Sequence, residues 1–138
     1  MLTNIGIWID HKEAVLVILK NGHTTLERIE SNAESNFRQS GGWKSGKNPG
    51  IQSIHKEQKA EERRKHQYQK FYRRVIKKIN KADTVYIFGP GNAKQELTKE
   101  LQKSKGTQPM ISSVQSCNRL TDNQLKAKVR EYFDFEKV

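Results

Sequence analysis

The apolar positions of this chain fall into short clusters whose spacing changes along its length. Three runs near the N-terminus, Ile5-Gly6-Ile7-Trp8-Ile9, Ala14-Val15-Leu16-Val17-Ile18-Leu19 and Thr24-Thr25-Leu26-Glu27-Arg28-Ile29, are short, closely spaced and rich in β-branched residues, which predicts three strands. The second is apolar at every position, as a strand covered on both faces must be. Asn21-Gly22 behind it is the dipeptide of a tight hairpin turn, so an antiparallel meander is expected.

Further on the period lengthens. Tyr68, Phe71, Tyr72, Val75, Ile76 and Ile79 recur at about 100° per residue, predicting a helix from about 57 to 81 with that stripe facing the core. A strand over 83–88, a Gly89-Pro90-Gly91 turn, a helix from 92 to about 103 with Leu97 and Leu101 inward, and a strand over 110–114 follow. Thr121 and Gln124 have capping-box spacing and open a last helix through Leu125, Val129 and Phe133. The order βββαβαβα predicts an α/β protein: antiparallel hairpins fused to a parallel section in one mixed five-stranded sheet with helices on both faces. That order resembles ribonuclease H-like folds. The 138 residues fit one domain, 1–138, around one core.

Residues 31–56 break the pattern. Ser, Asn, Gly and Lys replace the aliphatics, and no carboxylate lies between Ser35 and Lys56, whereas Arg38, Lys44, Lys47 and Lys56 are cationic. With Gly41, Gly42, Gly46 and Gly50 in it, the segment is expected to be a flexible basic loop. Trp43, between Gly42 and Lys44, either stacks an exposed base or folds back onto the sheet.

Charge narrows the partner. Lys and Arg outnumber Asp and Glu by 26 to 15, a net charge of +11 and a pI near 9.8, which favours a polyanion. Lys59, Arg63, Lys70, Arg73, Arg74, Lys77, Lys78 and Lys81 fall on the face of the 57–81 helix opposite its apolar stripe, largely without interleaved acids. An ordinary solvated helix also carries charge outward, but it mixes signs. The one-signed ridge therefore points to phosphates. No run approaches the roughly 20 apolar residues of a membrane span. Met1-Leu2-Thr3-Asn4 lacks the basic and apolar regions of a signal peptide, so a cytoplasmic protein that makes no membrane contact is expected. The lone Cys117 and the spacing of His11, His23, His55 and His66 make no recognisable metal site, and no cofactor is expected.

Two places invite a chemical reading. Gly89, Gly91, Asn92 and Lys94 join a strand to a helix, where free N–H groups and the helix dipole could hold a phosphate, although the same residues also make a plain tight turn. Asp10 ends the first strand, where ribonuclease H-like nucleases place a metal-binding carboxylate. Two-metal chemistry needs several converging acids, and the end of the 83–88 strand offers Gly-Pro-Gly instead. Asp10-His11-Lys12-Glu13 is better read as a polar hairpin turn.

Gly6-Ile7-Trp8-Ile9-Asp10-His11-Lys12-Glu13-Ala14, the glycine pair of the basic loop, the helix ending near Val75, and Ile87-Phe88-Gly89-Pro90-Gly91-Asn92-Ala93-Lys94 together resemble the central domain of archaeo-eukaryotic class 1 release factors and of the related ribosome-rescue protein Pelota, with short single-domain prokaryotic members the nearest in pattern. In release factors this domain carries a Gly-Gly-Gln tip that promotes hydrolysis of peptidyl-tRNA. Here the matching loop reads Ser40-Gly41-Gly42-Trp43; the glutamine is replaced by an indole, and Gln39 lies on the wrong side of the pair. The resemblance thus implies a ribonuclease H-like sheet and an RNA-binding, translation-associated protein that docks on the ribosome, ribosomal RNA or tRNA without release activity, in rescue, hibernation or quality control. It implies no enzyme. The competing expectations are a metal-dependent nuclease or tRNA-ester hydrolase centred on Asp10, and a protein-interaction module. The sequence specifies no oligomeric state.

Overall fold

Every second residue of β1 (Thr3–Ile9) faces the same layer, and both of its layers are covered: Ile5, Ile7 and Ile9 are buried on one side, Trp8 on the other. The structure, a computed structural model, describes residues 2–33, 51–104, 106 and 108–137. In it β1 is the centre of a five-stranded sheet of order β3-β2-β1-β4-β5, with β2 (Glu13–Lys20) and β3 (His23–Glu30) on one flank and β4 (Thr84–Gly89) and β5 (Met110–Ser116) on the other. The β1/β2 and β2/β3 pairs are antiparallel, and the β1/β4 and β4/β5 pairs are parallel. The expected mixed sheet is therefore present.

Local chemistry sets the hairpins. Lys20 pairs with His23 across Asn21 and Gly22, both at positive φ (53° and 80°), the backbone of a two-residue turn whose twist suits antiparallel strands. Between β1 and β2, Asp10 Oδ1 accepts the N–H groups of Lys12 (2.8 Å) and Glu13 (2.9 Å). Asp10 thus organises the turn it sits in.

Among the described residues, three helices complete the layers. α1 (Ile51–Ile79) and α2 (Ala93–Lys103) cover one face through Phe71, Tyr72, Val75, Ile79, Leu97 and Leu101; α3 (Asp122–Lys137) covers the other through Leu125, Val129 and Phe133. α1 begins at Ile51, not near residue 57 as the periodicity suggested. The residues 51–57 contain Ile51 and Ile54 but no longer apolar stripe, so period alone cannot mark that start. Thr121 and Gln124 form the expected reciprocal cap: Gln124 N–H donates to Thr121 Oγ1 (3.2 Å) and Thr121 N–H to Gln124 Oε1 (2.9 Å).

The entry to α3 is bolted to the sheet by charge. Glu13 accepts from Arg28 (3.3 Å) and Arg119 (2.9 Å from Nη1), Arg28 also holds Asp122 (2.7 Å), and the Arg119 guanidinium lies 4.9 Å from the Trp8 ring centroid. Trp8 Nε1 donates to Asn118 O (3.2 Å). No described helix is long and apolar enough to cross a membrane.

Candidate nucleic-acid interface

The length of α1 and the position of its apolar stripe decide what it shows to solvent. Phe71, Tyr72, Val75 and Ile79 turn into the core, so Lys59, Arg63, Lys70, Arg73, Arg74, Lys77 and Lys78 emerge on the far side, all exposed, with Lys81 just beyond the helix. From 63 to 81 the chain carries nine Lys and Arg residues and no carboxylate. The ridge expected from the sequence is thus brought together on one face.

Its members are not equivalent. Arg74 reaches sideways to the sheet edge, where Nη2 donates to the carbonyls of Glu30 (2.8 Å) and Ser31 (3.2 Å). Lys78 Nζ lies 3.3 Å from Glu27 Oε1. These two residues tie α1 to β3, and with Arg28 and Lys77 they line a shallow groove of about 400 Å³ along that edge. Lys70, Arg73 and Lys77 have no hydrogen-bond or ion-pair partner among the described residues. Arg38, Gly41, Gly42, Trp43, Lys44 and Lys47 lie outside the described residues.

The turn after β4 is built differently from a phosphate cradle with an outward lysine. Gly89 is buried, and a Cβ there would overlap the Ile9 carbonyl, so glycine is what allows β4 to end against β1. Asn92 O accepts Gln95 N–H and Glu96 N–H, each at 3.0 Å, while its side chain makes no cap. Lys94 is 5% exposed, and its ammonium donates back to the Gly91 carbonyl. The lysine closes the turn from inside.

Sequence reasoning missed one cluster at the same end of the sheet. Tyr72 donates to Glu96 Oε1 (2.5 Å), His11 Nε2 lies 3.0 Å from the same oxygen, and the His11 and Tyr68 rings pack at 4.6 Å between centroids. Burial first, and then the bond to Glu96, pushes the Tyr72 phenol well above the ordinary tyrosine range, so it is a firm donor. Tyr68 and Tyr72 were legible as core positions. The signal available was the hydroxyl: a tyrosine on a buried stripe needs a polar partner, though the sequence does not say which. Among the described residues no group of three or more His, Cys, Asp or Glu side chains is placed to hold a metal ion.

No family model and no curated protein matches the chain. Solved structures do. The Pelota protein of Thermoplasma acidophilum superposes with a TM-score of 0.51 at 13% identity, over 88% of this chain and 30% of that one. Pelota of Archaeoglobus fulgidus gives 0.51 at 12% identity, over 98% of this chain and 36% of that one. An archaeal translation termination factor gives 0.44 at 13% identity, over 98% of this chain and 40% of that one. The chain therefore spans about a third of the length of the Pelota proteins it matches. The likeness is one of fold: a ribonuclease H-like α/β domain with a mixed five-stranded sheet, of the kind that forms one part of Pelota.

Proposed function

We propose that this chain is a cytoplasmic, RNA-binding protein of the translation machinery that docks on ribosomal RNA or tRNA through the outer face of α1, in rescue, hibernation or quality control, and does not hydrolyse peptidyl-tRNA. The observation that carries this reading is the single sign of that face. Like charges one helical turn apart, such as Arg73 and Lys77, cost a few tenths of a kcal/mol per pair. Contact with phosphates turns that cost into attraction. The fold shared with Pelota and the motif resemblance to release-factor central domains support a place in translation. Trp43, standing where the release tip has glutamine, supports binding without release.

Sucrose-gradient sedimentation of a lysate at low and high salt, with RNase-treated controls, tests it. Salt-sensitive comigration with ribosomes, a subunit or tRNA is the expected result. Recovery at the top of the gradient in every condition, together with no retention on immobilised tRNA, would overturn the reading.

A further inference from the structure

Between α1 and α2 lies a cleft of about 400 Å³, separate from the outer ridge. One wall is a stripe of α1 at helical spacing, with Glu61, Arg64, Lys65 and Tyr68 in it; the other is the α2 stripe of Glu96, Lys99, Glu100 and Lys103. The Tyr72–Glu96 hydrogen bond joins the two walls. The volume is within the range of about 300–1,000 Å³ typical of small-ligand sites.

Much of the polar lining is already committed. Glu96 accepts from Tyr72 and sits against His11, and Glu100 lies 3.8 Å from Lys103. Arg64, Lys65 and Lys99 remain without an ion-pair partner among the described residues, as does Glu61. Three cations from two helices thus meet across one opening, an arrangement that an anionic group would relieve.

The cleft also holds a ring. Tyr68 is half-buried: its ring packs on His11, and it lines the cleft as well. An aromatic braced from behind is a stacking platform, and one set beside unpaired cations fits a ligand that carries a flat base and a phosphate together. Glu61 supplies an acceptor for a base that presents an amino group, which uracil does not.

We propose that this cleft takes a single unstacked nucleotide, with its base against Tyr68 and its phosphate among Arg64, Lys65 and Lys99. That the nucleotide belongs to an RNA strand rests on the docking function proposed above; a free mononucleotide offers the same chemistry. On an RNA partner the cleft reads one exposed base while the ridge holds the backbone.

The test is a titration of the isotope-labelled full chain with AMP and UMP, following amide shifts by NMR. It is paired with binding of an adenine-rich RNA hexamer and of the same hexamer with one abasic position. AMP is expected to move amides of α1 and α2 around Tyr68 and Lys99, and UMP to do so more weakly. Tyr68→Ala is expected to weaken AMP about tenfold or more, and Tyr68→Phe to stay within about twofold, because stacking needs the ring and not the hydroxyl. Lys99→Glu, an exposed substitution on α2, should weaken AMP without unfolding the chain. If AMP at about 10 mM moves no amide of the cleft, where even weak contacts register, the proposal falls. If the hexamer binds, its abasic form binds equally and the cleft amides stay still, the cleft is not a base site while the RNA reading stands. If AMP fills the cleft and the hexamer binds no tighter than AMP, the cleft site holds with a free nucleotide as its ligand, and RNA docking falls.

Discussion

Gly6 of β1 lies directly beneath Val129 of α3, so close that a Cβ at position 6 would overlap the valine methyl groups. The contact sets how near α3 comes to the central strand, and glycine is what permits it. Gly6→Ala is therefore expected to destabilise the chain by about 1–3 kcal/mol through overpacking. Combining it with Val129→Ala, which removes the clashing methyls, should cost less than the sum of the two single changes. Urea midpoints of the two single variants and the double variant form the cycle that checks this; strict additivity would mean that α3 simply moves aside.

The Tyr72–Glu96 bond makes stability depend on alkaline pH. Burial and the Glu96 carboxylate raise the pH at which Tyr72 ionises in the folded chain, whereas in the unfolded chain it ionises near pH 10. The unfolded state therefore loses its proton first, so this stabilisation is complete below about pH 10 and is lost as pH rises beyond it. Tyr86, pushed up to about 12 mainly by burial, acts in the same direction. Tyr72→Phe should flatten the fall in urea midpoint between about pH 9 and pH 11. An unchanged slope would remove Tyr72 as its source.

How much of this was legible follows from what each residue answers to. The β-branched runs, Asn21-Gly22 and the Thr121/Gln124 box report local physics, and each became the element it predicted. The ridge was legible because one stripe of α1 fixes the opposite one. The His11, Tyr72 and Glu96 cluster was not: its partners lie 85 and 24 positions apart, and only the sheet order and the placing of α2 bring them together. Nor could the sequence show that Lys94 would turn inward onto Gly91. That choice belongs to the packing of α2 on the sheet.

The Arg28–Asp122 pair has the opposite pH sign. Arg28 donates to both Asp122 oxygens (2.7 and 3.3 Å), and this bonding above all holds the Asp122 carboxyl below its usual range. In the unfolded chain it titrates near 3.9, so its contribution is present above that value and is lost as pH falls through the lower folded value. The stability difference between the wild type and Asp122→Asn should be present at neutral pH, shrink with added salt because the pair is exposed, and close in strong acid. Denaturation curves from neutral pH to about pH 2 measure it. A difference that persists in acid would remove the ion pair as its source.

Arg74 separates structural from binding cations on α1. Lys70, Arg73 and Lys77 have no partner among the described residues, whereas Arg74 gives two hydrogen bonds to the carbonyls of Glu30 and Ser31 at the edge of β3. Arg74→Ala should therefore lower stability by about 1–2 kcal/mol, as expected for lost charge-assisted bonds at a partly exposed site. Lys70→Glu, Arg73→Glu and Lys77→Glu should leave the urea midpoint nearly unchanged or raise it slightly, because reversal relieves repulsion along the ridge. On RNA the order inverts. Each reversed ridge cation should weaken binding uniformly across sequences and reduce the slope of log affinity against log salt by about one. Measuring both quantities on all four variants decides whether the face of α1 binds phosphates or only keeps the helix in water. Salt slopes that stay at the wild-type value would leave the ridge with the second role alone.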